Sequence, residues 1–138
     1  MSQHAVESFP VVTPPRRHRH LMVTVESAMA VFGLGGGIML MSGHATPPVE
    51  AQAALGLSSW ALPGVWLTAS VAIPSAAAAY LAWRGSSSAP RAVLVASALL
   101  AIELLVQIPF LGVNGLQAAM ALVGGTAAAV AWRARATW

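Results

Sequence analysis

Two glutamates sit inside long apolar runs, and they are the residues best placed to do chemistry. Glu103 lies in Ala101-Ile102-Glu103-Leu104-Leu105-Val106-Gln107, and Glu26 in Val23-Thr24-Val25-Glu26-Ser27. A charged side chain in the middle of a bilayer costs about 2.5–3.5 kcal/mol on the mildest scale. Such a group gives up its charge to a proton, pairs with a cation, or collects hydrogen bonds from neighbouring helices. Gln107 follows Glu103 by four positions and shares its helix face. Pro109 then loosens the helix end, because it offers no N–H to the carbonyl of Leu105. Counting in from the same ends of the other apolar runs, the depth of Glu103 is matched by three features: Gly33-Leu34-Gly35-Gly36-Gly37, then Ser70, whose carbonyl Pro74 leaves free, and Gly124-Gly125-Thr126. An acid, an amide and a hydroxyl at one depth would suit proton coupling or substrate binding in a membrane. The same layer has a structural reading. Gly33 and Gly37 form a GxxxG pair, and Ala121, Gly125 and Ala129, with Gly124 beside them, continue a small-residue face. Such faces let helices pack closely, and a carboxyl there would hydrogen-bond a neighbouring helix.

Glu26 lies roughly 8 Å from its end of the first run and Glu103 roughly 13 Å from the opposite end of the third, at about 1.5 Å per residue. They are too far apart to act as a carboxylate pair. Glu26 is close enough to a basic helix end to reach Arg84 or Arg133, with Ser97 at a similar depth. No other catalytic arrangement is visible. The chain has neither aspartate nor cysteine and no HExxH, so a Ser-His-Asp triad, thiol chemistry and that zinc motif are excluded. The glycine run lacks the third glycine and the preceding strand of a dinucleotide fingerprint. His18-Arg19-His20 reads as solvated charge rather than a metal site. The expectation is therefore no enzyme activity, no metal and no cofactor.

The elements that must position these residues are membrane spans. Of the residues, 57% are hydrophobic and 8% charged, where soluble domains carry about 25% charge. Four runs, residues 21–42, 60–83, 92–111 and 113–132, reach the ~20 residues needed to cross a bilayer core of ~30 Å. All seven basic residues are arginine and all lie outside the runs: Arg16, Arg17 and Arg19 before the first, Arg84 and Arg91 between the second and third, Arg133 and Arg135 after the fourth. The other two connections, 43–59 and the turn at Gly112, carry none. This asymmetry predicts that both termini are cytoplasmic. Tryptophans agree with it: Trp60 and Trp66 mark the outer end of span 2, while Tyr80, Trp83, Trp132 and Trp138 mark inner ends. The net charge of +3 comes from juxtamembrane arginine suited to anionic lipid, so nucleic acid is not an expected partner.

Within residues 43–59, Pro47-Pro48, Glu50 and Gly56 frame a stretch that allows a short helix lying on the outer surface. Residues 84–91, rich in glycine and serine, predict a flexible inner loop, and Gly112-Val113-Asn114-Gly115 a tight outer turn. The sequence thus divides into a disordered basic tail (1–19), a four-span domain (20–133) and a short second tail (134–138). The first apolar run is too long for a cleaved leader.

Two family patterns bear on this. The Trp60-Ala61-Leu62-Pro63-Gly64 opening of span 2 and the Glu103-Leu104-Leu105-Val106-Gln107-Ile108-Pro109-Phe110-Leu111-Gly112 stretch, followed by Leu116-Gln117, resemble small four-span membrane proteins of actinobacterial type, over roughly residues 20–133. The resemblance implies a plasma-membrane protein without a catalytic assignment. Small multidrug exporters also have four spans and a glutamate in the first, as Glu26 would be. They differ in lacking a long first loop, in their weak arginine bias, and in the residues around that glutamate.

The sequence therefore predicts an all-α, four-helix transmembrane bundle with both ends inside. Its site is expected at Glu103, Gln107, Ser70 and Glu26, and its helix packing at Gly33, Gly37, Gly124 and Gly125. The function expected is that of an accessory or scaffold subunit, bound by the lipid bilayer and by another membrane protein or a second copy. The alternative is a small proton-coupled transporter or channel-like oligomer.

Overall fold

The structure, a computed structural model, describes residues 16–136, with the side chain of Arg16 left aside; Trp138 and most of the expected N-terminal tail lie outside this range. Among the described residues there are helices and turns but no strand. The helices are α1 (Arg16–Ser42), α2 (Val49–Ala54), α3 (Ala61–Leu67), α4 (Ile73–Trp83), α5 (Ala89–Leu111) and α6 (Gly115–Ala134). A π-helical turn, Thr68–Ala72, joins α3 to α4 into one continuous span. That span and α1, α5 and α6 are long and apolar enough to cross a membrane.

Several boundaries differ from the sequence expectation. Helix α1 already includes Arg16 to Arg19, which had been assigned to the tail; arginine is a good helix former and the apolar run draws the helix outward. Helix α5 starts at Ala89 rather than 92, because Pro90 falls in its first turn, where no N–H is needed. Ala89 and Pro90 are buried there, so the connection before them is short. Helix α6 starts two residues late, at Gly115. Asn114 caps it: its side chain accepts from the Gln117 N–H at 3.0 Å, and the Gln117 side chain accepts from the Asn114 N–H at 3.2 Å. Gly112, at φ 65°, makes the preceding reversal, a conformation that glycine adopts without steric cost. The π turn has a comparable local cause. Pro74 has no N–H for the Ser70 carbonyl, and the ladder shifts so that the Ile73 N–H reaches Thr68.

Around the bundle, α1 packs on the α3–α4 span, that span on α5, α5 on α6, and α6 back on α1. The tightest core lies at the end where the arginines gather, here the arginine end. It is built largely of alanine, with Ala78, Ala82, Ala89, Ala131 and Ala134 fully buried around Met22 and Val93. Further along, a smaller cluster of Met29, Val71 and Leu100 forms the next layer. Beyond it, toward the opposite or loop end, lie Ser70, Glu103 and Gln107. The outer faces carry Phe32, Leu62, Ile73, Val95, Leu105 and Leu122, all strongly exposed.

Candidate functional site

Glu103 stands on α5 at the loop side of the Leu100 layer and is only 8% exposed. Three neutral donors converge on it. The Trp66 indole N–H donates to Oε2 at 2.7 Å, the Gln107 amide to Oε1 at 3.0 Å, and the Ser70 hydroxyl lies 3.4 Å from Oε2. Ser70 also donates to the Trp66 carbonyl at 2.8 Å, within the stretch where Pro74 has disturbed the helix ladder. The node continues to α6 through Gln117, whose amide reaches the Gln107 carbonyl oxygen at 3.5 Å. Gln117 is itself 8% exposed and belongs to the Asn114 cap. A polar chain thus links span 2, α5 and α6. Both carboxyl oxygens are held by N–H donors, so the group is fixed in direction and each helix loses a partner if it is removed.

The structure brings Glu103, Gln107 and Ser70 together, and it adds two residues that sequence reasoning missed. Trp66 had been read as an interfacial anchor. The available signal was spacing: Trp66 and Ser70 are four apart on one helix, as are Glu103 and Gln107 on the other, so two polar pairs face each other. Gln117 enters the sequence reading only in the Leu116-Gln117 part of the family pattern, and its contact with Gln107 needs the fold.

Glu26 is not part of this node. It lies 2% exposed toward the arginine end, and its hydrogen-bonding partner is Ser75, 4% exposed. In chain order Met29, Val71 and Leu100 fall between the Glu26–Ser75 pair and the Glu103–Ser70 pair. No arginine pairs with Glu26 among the described residues. Arg84 instead donates to the Tyr80 hydroxyl at 3.0 Å, Arg135 stacks on Trp132, and Arg19 donates to the Trp83 carbonyl. The Ser97 hydroxyl, at the depth of Glu26, has no hydrogen-bond partner among the described residues.

The glycines divide. A Cβ on Gly33 would stand 3.0 Å from the backbone nitrogen of Ala72, one on Gly37 2.8 Å from the Gly64 carbonyl oxygen, and one on Gly124 2.7 Å from Leu100 Cδ2. These three sit at close helix contacts. Gly64, from the Trp60-Ala61-Leu62-Pro63-Gly64 stretch, is the partner of Gly37; its own Cβ would stand 2.6 Å from the Gly37 carbonyl oxygen. Gly125 departs from the expectation: nothing lies within 4 Å of a Cβ there, because that side of α6 faces out of the bundle. Thr126, expected at the Glu103 layer, bonds the Leu122 carbonyl of its own helix instead.

Two clefts flank this region. One, of about 360 Å3, lies at the loop end between α3, α5 and the 43–59 connection, with Glu103 and Gln107 on its wall. The other, of about 540 Å3, is a groove along α5 and α6 whose lining includes Ala98, Ala101, Ala121, Gly125 and Ala128. Among the described residues no three His, Cys, Asp or Glu side chains converge as metal ligands would. No family model, no curated protein and no solved structure matches the chain.

Proposed function

We propose that this chain is a multi-pass protein of the plasma membrane, with both termini cytoplasmic, and that it acts without catalysis as an accessory or partner-binding subunit. The observation that carries this reading is the groove along α5 and α6. Its small residues are where a neighbouring helix approaches most closely, yet none of the described helices fills it. Ala121 and Gly125 lie four apart on its exposed side. The Ser97 hydroxyl borders it without a hydrogen-bond partner among the described residues. The occupant is a helix of another membrane protein or of a second copy. The arginine distribution supports the orientation, and it would place the short helix α2 at the outer membrane surface.

The chain contains no cysteine, so Gly125→Cys introduces a single reporter. Oxidation in native membranes yields a disulfide-linked dimer if the partner is a second copy. A bifunctional maleimide–amine reagent yields a heavier heteromeric product if it is another protein. A strictly monomeric product under both treatments contradicts the reading.

The transporter reading draws support from Glu103, which borders a cleft. Against it stands the apolar layer of Met29, Val71 and Leu100, which separates Glu103 from Glu26 in a tightly packed half of the bundle. Proton flux in proteoliposomes that is lost on Glu103→Gln would favour transport over the accessory role.

A further inference from the structure

The loop-end cleft calls for a ligand of its own. Its volume, about 360 Å3, falls in the range of small-molecule sites. Leu40, Leu57, Leu62, Val106 and Phe110 make its lining mostly apolar. Two buried polar side chains interrupt that lining. Glu103 accepts only from neutral donors, and none of the described arginines borders the cleft. Trp60 is 8% exposed, and its indole N–H has no hydrogen-bond partner among the described residues. One is an acid without a counter-cation and the other a donor without an acceptor. The Trp60 donor costs free energy in apolar surroundings unless an acceptor reaches it, while the carboxyl of Glu103 is hydrogen-bonded but faces no cation among the described residues. Leu62 and Val106, on facing helices, are 68% and 57% exposed. The cleft therefore opens sideways between α3 and α5, toward whatever surrounds the helices.

We propose that this cleft binds an amphipathic amine. Its ammonium group sits against Glu103, a neighbouring hydroxyl or ether oxygen accepts from Trp60 Nε1, and its alkyl body lies on the leucine and phenylalanine wall. Charge complementarity makes the selection. A carboxylate or phosphate headgroup would face Glu103 with like charge and no arginine to offset it. A neutral alcohol would satisfy Trp60 and leave the acid unpaired. An amino alcohol answers both. This inference stands apart from the α5–α6 groove and does not depend on what occupies it.

The test uses the purified full chain in uncharged detergent, with binding measured by titration calorimetry. The probe is N-dodecylethanolamine. The control is N-dodecanoylethanolamine, an uncharged amide of matching length. The amine is expected to bind about tenfold or more tightly than the amide, the scale of a charge-assisted hydrogen bond. Glu103→Gln removes that preference, and Trp60→Phe weakens the amine roughly threefold while keeping the preference. Equal affinity of amine and amide overturns the proposal, as does a preference that survives Glu103→Gln. Because Glu103→Gln also perturbs the polar node, Val106→Trp supplies a second arm. It crowds the cleft from an exposed position outside the node and is expected to abolish amine binding; amine binding that persists there overturns the proposal.

Discussion

Glu103 is a buried acid held by an indole, a hydroxyl and an amide, and its neighbours can be tested one at a time. Trp66→Phe removes the 2.7 Å donor while keeping the aromatic body, so it is expected to lower stability in detergent by about 1–2 kcal/mol, read as a fall in Tm. Glu103→Gln presents an NH2 group to at least one of the two N–H donors and is expected to cost about 1–3 kcal/mol. An unchanged Tm in both variants would mean that the node is not formed. Part of this was legible in the chain. The four-residue spacing of Glu103 and Gln107 and the depth of Ser70 follow from helix geometry alone. Trp66 was hidden because a tryptophan near a span's end has a sufficient explanation as an interfacial anchor. Only the neighbouring helix reveals where its N–H goes. For Glu26, proximity to arginines along the chain suggests an ion pair, but Arg84 turns to Tyr80, Arg135 to Trp132 and Arg19 to the Trp83 carbonyl, and Ser75 faces the acid.

At the scale of elements, the close crossing of α1 and α3 rests on Gly37 and Gly64, whose backbones leave no room for side chains. Gly37→Ala is expected to destabilise by about 1–3 kcal/mol, the usual cost of overpacking, because the atoms it meets include backbone. Gly125→Ala is expected to keep or raise monomer stability, by up to about 1 kcal/mol, since open space receives the methyl group and alanine favours the helix. Comparing the two Tm values separates a glycine needed within the bundle from one free for an outside contact. Asn114→Ala, which removes one side of the α6 cap, is expected to cost about 1 kcal/mol. The GxxxG pattern made Gly33 and Gly37 readable, but not Gly64, whose motif had no visible packing partner. A stripe of small residues shows that some helix comes close without saying which one. For that reason Gly124, against Leu100, and Gly125, facing outward, could not be told apart from sequence. The π turn was foreshadowed by Pro74, although the shift to Thr68 needed the structure.

The whole molecule pairs an alanine-rich core near the arginines with a loop-end half that holds the polar node, the Gly37–Gly64 contact and the cleft. The four spans were legible because run length and hydropathy act one helix at a time. The order of helices around the bundle was not, because faces of alanine and glycine fit several neighbours equally well. The proposed orientation predicts that a cysteine placed at Ser58 is labelled from outside intact cells, and one at Ser87 only after permeabilisation. Both positions are exposed, and the reverse pattern would contradict the assignment. Glu103 joins span 2 to α5 through Trp66. The measurement that isolates this link is a double-mutant cycle between Trp66→Phe and Glu103→Leu, followed by equilibrium unfolding in detergent. A coupling of about 1–3 kcal/mol is expected; losses that simply add would show that the two side chains do not hold the helices together.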